Sequence, residues 1–172
     1  MHRNLELKAP LGDVLAASRV AHGLGASDLG ELRQVDTYFS VERGRLKLRE
    51  IEGGIAELIF YHRPDEGAAR WSDFWTSPAP DAGSTKALLT AALGIRGTVK
   101  KYRRIFTWIE CRIHLDEVED LGSFLELEVL STGDEIDDQA RMAKLVEAFR
   151  VDVTQASYGL LRGFASALTS KG

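Results

Sequence analysis

The sequence predicts an antiparallel α+β domain, with many short strands around a few helices. Two observations lead there. Segment after segment alternates apolar and charged residues with a period of two, the pattern of a strand with one apolar and one polar face. Two stretches, after the first strand and over the last forty residues, change to a period of 3.6.

The elements follow in order. Leu5 and Leu7 alternate with Glu6 and Lys8, so a strand opens the chain over about residues 3–8. A helix is expected from Asp13, an N-cap, to Gly25 at C′, with Val14, Leu15, Val20 and Leu24 as its apolar positions. Strands then read over 31–41, 45–52 and 55–63, with Gly53-Gly54 as a two-residue hairpin turn. Residues 71–77 form another strand, ended by Pro78-Ala79-Pro80. A second helix covers 84–93, with Ser84 as N-cap, Leu88, Leu89 and Leu93 on one side, and Gly94 closing it. Strands at 97–109, 111–118 and 123–131 precede helices near 135–149 and 155–168. No repeat or linker divides the chain, so residues 1–172 are expected to form a single domain.

Composition narrows the function. Of 172 residues, 44% are hydrophobic and 28% charged, enough apolar material for a core without metal or disulfide staples. Cys111 is the single cysteine, which excludes an intramolecular disulfide and leaves no spaced partner for zinc. The start MHRNLELK lacks an apolar signal region, and no apolar run approaches the ~18 residues of a membrane span. A cytoplasmic protein without membrane association is the expectation. The net charge of −4 argues against a nucleic-acid binder, whose affinity comes from basic patches. Trp71, Trp75 and Trp108 are read as packing residues and not as base-stacking platforms.

The polar faces of the strands carry the chemistry. Arg45, Lys47 and Arg49 share one face, as do Lys101 with Arg103, Arg112 with His114 and Asp116, and Glu126 with Glu128. Few Ser, Thr or Gln residues dilute them. Three neighbouring cations repel one another without an anion, and two same-face carboxylates repel unless a cation lies between them. Were the sheet to close with this face inward, its lumen would have to be wet or filled by a charged ligand. A cationic clamp beside carboxylates suits a polyphosphate with a hard divalent ion. No P-loop motif is present, so phosphate binding of that kind is excluded. His114 either orients a phosphate or is structural.

These segments resemble the CYTH superfamily, the triphosphate tunnel metalloenzymes. Asn4-Leu5-Glu6-Leu7-Lys8 resembles the family's E-x-E-x-K opening. Gln34 to Phe39, Arg45 to Glu50, Lys101 to Arg104, Arg112 to Glu119, Leu121 to Glu128 and Ser157 to Leu161 follow in family order. The resemblance implies a closed antiparallel β-barrel tunnel of about eight strands with flanking helices. It implies Glu6, Lys8 and Asp116 as catalytic residues. It places Lys8, Arg45, Lys47, Arg49, Arg63, Lys101, Arg103, Arg112 and His114 on the triphosphate. It gives Mg²⁺ or Mn²⁺ as cofactor, held by Glu6, Glu126, Glu128 and Asp116. The substrate is expected among ATP, thiamine triphosphate and tripolyphosphate, and the protein to be a monomer or homodimer.

Two departures stand out: Asn4 replaces the first glutamate of the opening motif, and His62-Arg63 stands where the family has a lysine. The sequence leaves open which of that pair faces inward. Hydrolysis of an organic or inorganic triphosphate is the leading expectation. Class IV adenylate cyclase activity, and a non-catalytic polyphosphate or nucleotide-binding module, are the alternatives.

Overall fold

The structure is a computed structural model, and it describes residues 1–63 and 69–154. The expected helix over 155–168, and with it Ser157 to Leu161, lies outside the described residues. Eight antiparallel strands close a barrel: β1 (His2–Pro10), β2 (Ser27–Phe39), β3 (Arg45–Ile51), β4 (Ala56–His62), β5 (Ala69–Pro78), β6 (Ile95–Trp108), β7 (Cys111–Val118) and β8 (Gly122–Leu130). Their order around the ring is β1-β5-β4-β3-β2-β6-β7-β8, and β8 pairs back onto β1. Helices α1 (Val14–Gly23), α2 (Ala82–Leu93) and α3 (Glu135–Ala148) lie outside it. Among the described residues no helix is long and apolar enough to cross a membrane.

The alternation sets which side of each strand is dry. Leu5 and Leu7 of β1, Ile113 and Leu115 of β7, and Leu125, Leu127 and Val129 of β8 form the outer face. With Phe106 of β6 they pack against Ala17 and Ala21 of α1 and Met142 and Leu145 of α3. Each such large side chain contributes ~1.5–3 kcal/mol when fully buried. A smaller cluster on the other side joins Phe39 and Leu48 to Leu89 of α2. Apolar groups thus lie between barrel and helices, and the charged sides of β1, β3, β7 and β8 are left for the interior.

Helix boundaries follow from caps. Asp13 Oδ1 accepts from Ala16 N at 2.9 Å to start α1, and Gly25 takes the left-handed φ of 76° just past its end. The buried face of α1 differs from expectation: Ala17, Ser18 and Ala21 are buried, whereas Leu15 is 69% exposed. Small side chains let the helix approach the sheet closely. In α2 the N-cap is Asp81, whose Oδ1 accepts from Ser84 N at 2.9 Å, so the helix begins two residues before Ser84. Its Leu88 is 69% exposed and Leu93 also faces solvent, leaving Leu89 as the leucine that packs.

The β3–β4 connection also differs, because it has four residues, 52–55, instead of two. Gly54 N donates to Ile51 O at 3.0 Å, and Gly53 adopts a φ of 69° within it. β2 begins four residues earlier than expected and β6 two earlier, which gives the two strands their long mutual ladder from Ser27↔Thr107 to Phe39↔Ile95. Gly44 precedes β3 with φ 67°, and a Cβ there would meet Phe60 Cε2 at 2.7 Å, so only glycine fits. Trp71 and Trp108 pack as expected, but Trp75 is 43% exposed and lies against Phe60 in a tilted ring contact.

Candidate functional site

The interior is built by the residues that alternate with the outer leucines. Asn4, Glu6 and Lys8 come from β1, Arg45, Lys47 and Arg49 from β3, Lys101 and Arg103 from β6. Arg112, His114 and Asp116 come from β7, Glu126 and Glu128 from β8. Antiparallel register aligns Glu6 with Glu128, Lys8 with Glu126, and Arg103 with Asp116. Arg63, just past β4, also turns inward: its Nη1 donates to Glu6 Oε2 at 2.6 Å, while His62 is exposed. The choice left open by the sequence falls to Arg63.

Three groups of charges occupy the lumen. In the first, Asp36 accepts from Lys47 Nζ at 2.9 Å and from Arg49 Nε at 3.0 Å. Gln34 Nε2 donates to the same carboxylate at 3.0 Å. Burial pushes the Asp36 carboxyl up, but Lys47 and Arg49 outweigh it and hold the group well below the usual carboxylate range. Tyr61 lies among the cations here, with Arg45, Lys47 and Arg63 all within 5.8 Å of its ring.

In the second group, Asp116 accepts from Arg103 Nε at 2.6 Å and Nη2 at 2.7 Å, and from Lys101 Nζ at 3.0 Å. Arg103 Nη2 also donates to Glu126 Oε2 at 2.8 Å, and Lys8 Nζ lies 3.4 Å from that oxygen. The guanidinium therefore bridges two carboxylates. Burial raises Glu126, yet Arg103, Lys8 and Lys101 bring it well below its ordinary value. Lys101 is pulled down to about 7 by burial and by the neighbouring Arg103 and Lys8 charges.

The third group is Glu6, Glu128 and His114, with Arg112 at the rim. Glu128 is pushed up to about 7 by burial, then by the negative charges of Glu126 and Glu6. Arg112 Nη1 approaches it only to 3.8 Å from a side chain 47% exposed, so the arginine adds little inside the lumen. Burial, followed by Arg103, drives His114 well below its usual range, leaving a neutral imidazole. Ligand atoms of His114, Glu126 and Glu128 lie within 4.8 Å of one another, close enough to converge on one cation. The donor set fits a divalent ion: two carboxylates, one of them short of positive partners, beside a neutral nitrogen.

The expected site residues are not placed equally, and Arg112 stays at the rim. Asp116 has both oxygens engaged by Arg103 and Lys101, apart from the carboxylates that face Glu128. Sequence reasoning passed over Asp36, Gln34, Tyr38, Tyr61, Arg70 and Ser72 as site residues. Arg70 and Ser72 are buried and register with Glu6 and Asn4. Asp36 had a usable signal, since it shares a face with Gln34 and Tyr38 and alternates with Val35 and Thr37.

The CYTH domain family matches over residues 2–155. Among solved structures, a protein of Pyrococcus horikoshii OT3 superposes with a TM-score of 0.79 at 21% identity, covering 88% of this chain and 93% of that one. A candidate adenylate cyclase from Vibrio parahaemolyticus gives 0.78 at 21% identity, covering 96% and 99%. A candidate adenylyl cyclase from Hippeastrum, described as revealing a dominant triphosphatase activity, gives 0.67 at 13% identity, covering 99% of each chain. No curated protein matches the sequence.

Proposed function

Since the chain belongs to the CYTH domain family, we propose that it is a divalent-metal-dependent phosphohydrolase acting on an organic or inorganic triphosphate bound inside the barrel. The proposal takes residues 1–172 as one domain. A single observation carries it: one lumen places a wall of arginines and lysines against a carboxylate cluster, with Arg103 bridging the two.

Each residue has a part. Lys8, Arg45, Lys47, Arg49, Arg63, Lys101 and Arg103 take phosphate oxygens, guanidinium forks being suited to them. Arg112 meets the incoming anion at the rim. Asp36 and Asp116 hold their cations in place and keep those side chains from repelling one another. Glu126 and Glu128, with Glu6 beside them, hold Mg²⁺ or Mn²⁺. When bound, that ion neutralises phosphate charge and polarises the phosphorus under attack. Arg103 and Lys101 meet the charge that spreads over the phosphoryl oxygens as water attacks in line. Before substrate arrives the cations rest on carboxylates, so binding is an exchange of partners within a fixed frame.

Cyclisation of ATP needs the same clamp, with the ribose hydroxyl as nucleophile and pyrophosphate leaving. The Hippeastrum protein, a candidate adenylyl cyclase described as revealing a dominant triphosphatase activity, favours ranking hydrolysis first. The test offers tripolyphosphate, thiamine triphosphate and ATP with Mg²⁺ or Mn²⁺, and reads inorganic phosphate and cyclic AMP together. Phosphate release from at least one substrate is expected. Cyclic AMP with pyrophosphate would make the chain a cyclase, and tight binding with neither product would make it a binding module.

A further inference from the structure

We propose that the His114 imidazole completes the metal centre, so that one nitrogen joins the Glu126 and Glu128 carboxylates and the site takes Mn²⁺ in preference to Mg²⁺. The inference rests on the functional reading above and adds to it a ligand and a metal preference.

His114 is 4% exposed, and its Nδ1 is a buried polar atom with no hydrogen-bond partner. Buried polar atoms are nearly always satisfied, so an orphan calls for a function. Nδ1 faces Glu128 Oε1 at 3.9 Å. That is too long for a hydrogen bond. It is a natural spacing for two ligands of one ion, since donors about 2.1 Å from a metal stand up to about 4.2 Å apart. One ring nitrogen of His114 and one oxygen each of Glu126 and Glu128 all lie within 4.8 Å of one another.

Strand register makes the triangle. His114 is directly opposite Glu126, and Glu128 is opposite Arg112, the next inward position of β7. The imidazole therefore belongs to the carboxylate side of the lumen. Phosphate binding at this nitrogen would bring an anion against the Glu126 and Glu128 carboxyl groups, whose negative charge repels it. A lone pair directed at a cation fits the surroundings better.

The nitrogen decides the metal. Mg²⁺ prefers a shell of oxygens and keeps several waters, so an imidazole gains it little. First-row transition ions accept mixed nitrogen and oxygen ligands. The site should discriminate through one side chain.

The test uses the full chain without triphosphate. Mn²⁺ and Mg²⁺ are titrated calorimetrically into wild type, His114→Gln, His114→Asn and Glu128→Gln, and bound Mn²⁺ is examined by pulsed EPR. Wild type should bind Mn²⁺ at least about tenfold more tightly than Mg²⁺ and show coupling to one directly bound ¹⁴N. Both His114 variants should lose the coupling and most of the preference, with Mg²⁺ affinity changing less than about threefold. Mn²⁺ bound by wild type without nitrogen coupling overturns the inference and leaves the triphosphatase reading standing, provided Glu128→Gln still abolishes binding. Wild type that binds neither ion, and releases no phosphate, overturns both. Because the nitrogen signal is read on wild type, a variant that fails to fold does not rescue the idea.

Discussion

Asp116 receives Arg103 fork to fork, through Nε at 2.6 Å and Nη2 at 2.7 Å, at a position with no solvent exposure. Removing one member of such a pair leaves an uncompensated buried charge. Asp116→Asn should therefore lower stability by about 3–5 kcal/mol in urea denaturation, the range for breaking a buried pair. Tripolyphosphate should restore part of the loss, because phosphate oxygens can meet the stranded guanidinium. A variant as stable as wild type would show that Glu126 alone suffices for Arg103.

Arg49 is held by Asp36 at 3.0 Å from a partly buried position. Arg49→Ala should weaken tripolyphosphate binding by about 2–5 kcal/mol, as for loss of a desolvated charge pair. Asp36 keeps Lys47, so the barrel should remain folded by circular dichroism. Unchanged affinity in calorimetry would remove Arg49 from the clamp.

Glu128 titrates near 7 in the folded protein, against an ordinary value of 4.5. Between those values the folded state holds a proton that the unfolded chain has released. Its contribution to stability is thus full below pH 4.5 and lost as pH rises through about 7. Metal and proton compete for this carboxylate, so Mn²⁺ affinity should climb as pH rises through the same point, with proton release on binding. Glu128→Gln should be more stable than wild type at pH 8, equally stable at pH 4, and unable to bind the ion. Mn²⁺ affinity that is flat from pH 6 to 8 would contradict this.

Lys101 moves the other way, from 10.5 to about 7. Above about 7 the unfolded chain binds a proton that the folded protein does not, so the cost of burying this ammonium fades as pH rises toward 10.5. Lys101→Met should remove that alkaline rise from a plot of unfolding free energy against pH. Persistence of the rise in the variant would assign it to another group.

Asn4 sits two residues before Glu6 on the same face, buried and in register with Ser72 and Leu130. Its amide can ligate a hard cation but brings no charge. Asn4→Glu should tighten metal binding and raise phosphate release at low metal. It should also lower stability without metal, since a further carboxylate joins Glu6 and Glu128. Glu126→Gln should nearly abolish turnover. If it keeps full activity at the same metal concentration, the ion is held elsewhere.

Period-two alternation made the strands legible, and with them the inward set, because the pleat decides which side each residue takes. Asp13 and Gly25 gave the bounds of α1 for similarly local reasons. What stayed hidden depends on neighbours far away in the chain. Leu15 fits an apolar stripe, yet α1 turns its alanines to the barrel because only small residues permit the close approach. Asp36 becomes the anchor of Lys47 and Arg49 only when β2 lies beside β3. Arg112 shares a face with His114 and Asp116, but strand position leaves it at the rim. The orphan nitrogen of His114 exists only in three dimensions.

Every strand of this ring has two partners, since β1 pairs with both β5 and β8. A ring without a seam does not open sideways, so traffic to Arg103 runs along the barrel axis. The backbone ladder need not break for this. Exchange instead requires side chains to release one ionic partner and accept another, and such steps are screened by electrolyte. Salt should hasten departure of a bound polyanion at concentrations that leave the barrel intact. The gate that such exchange implies is made of charges.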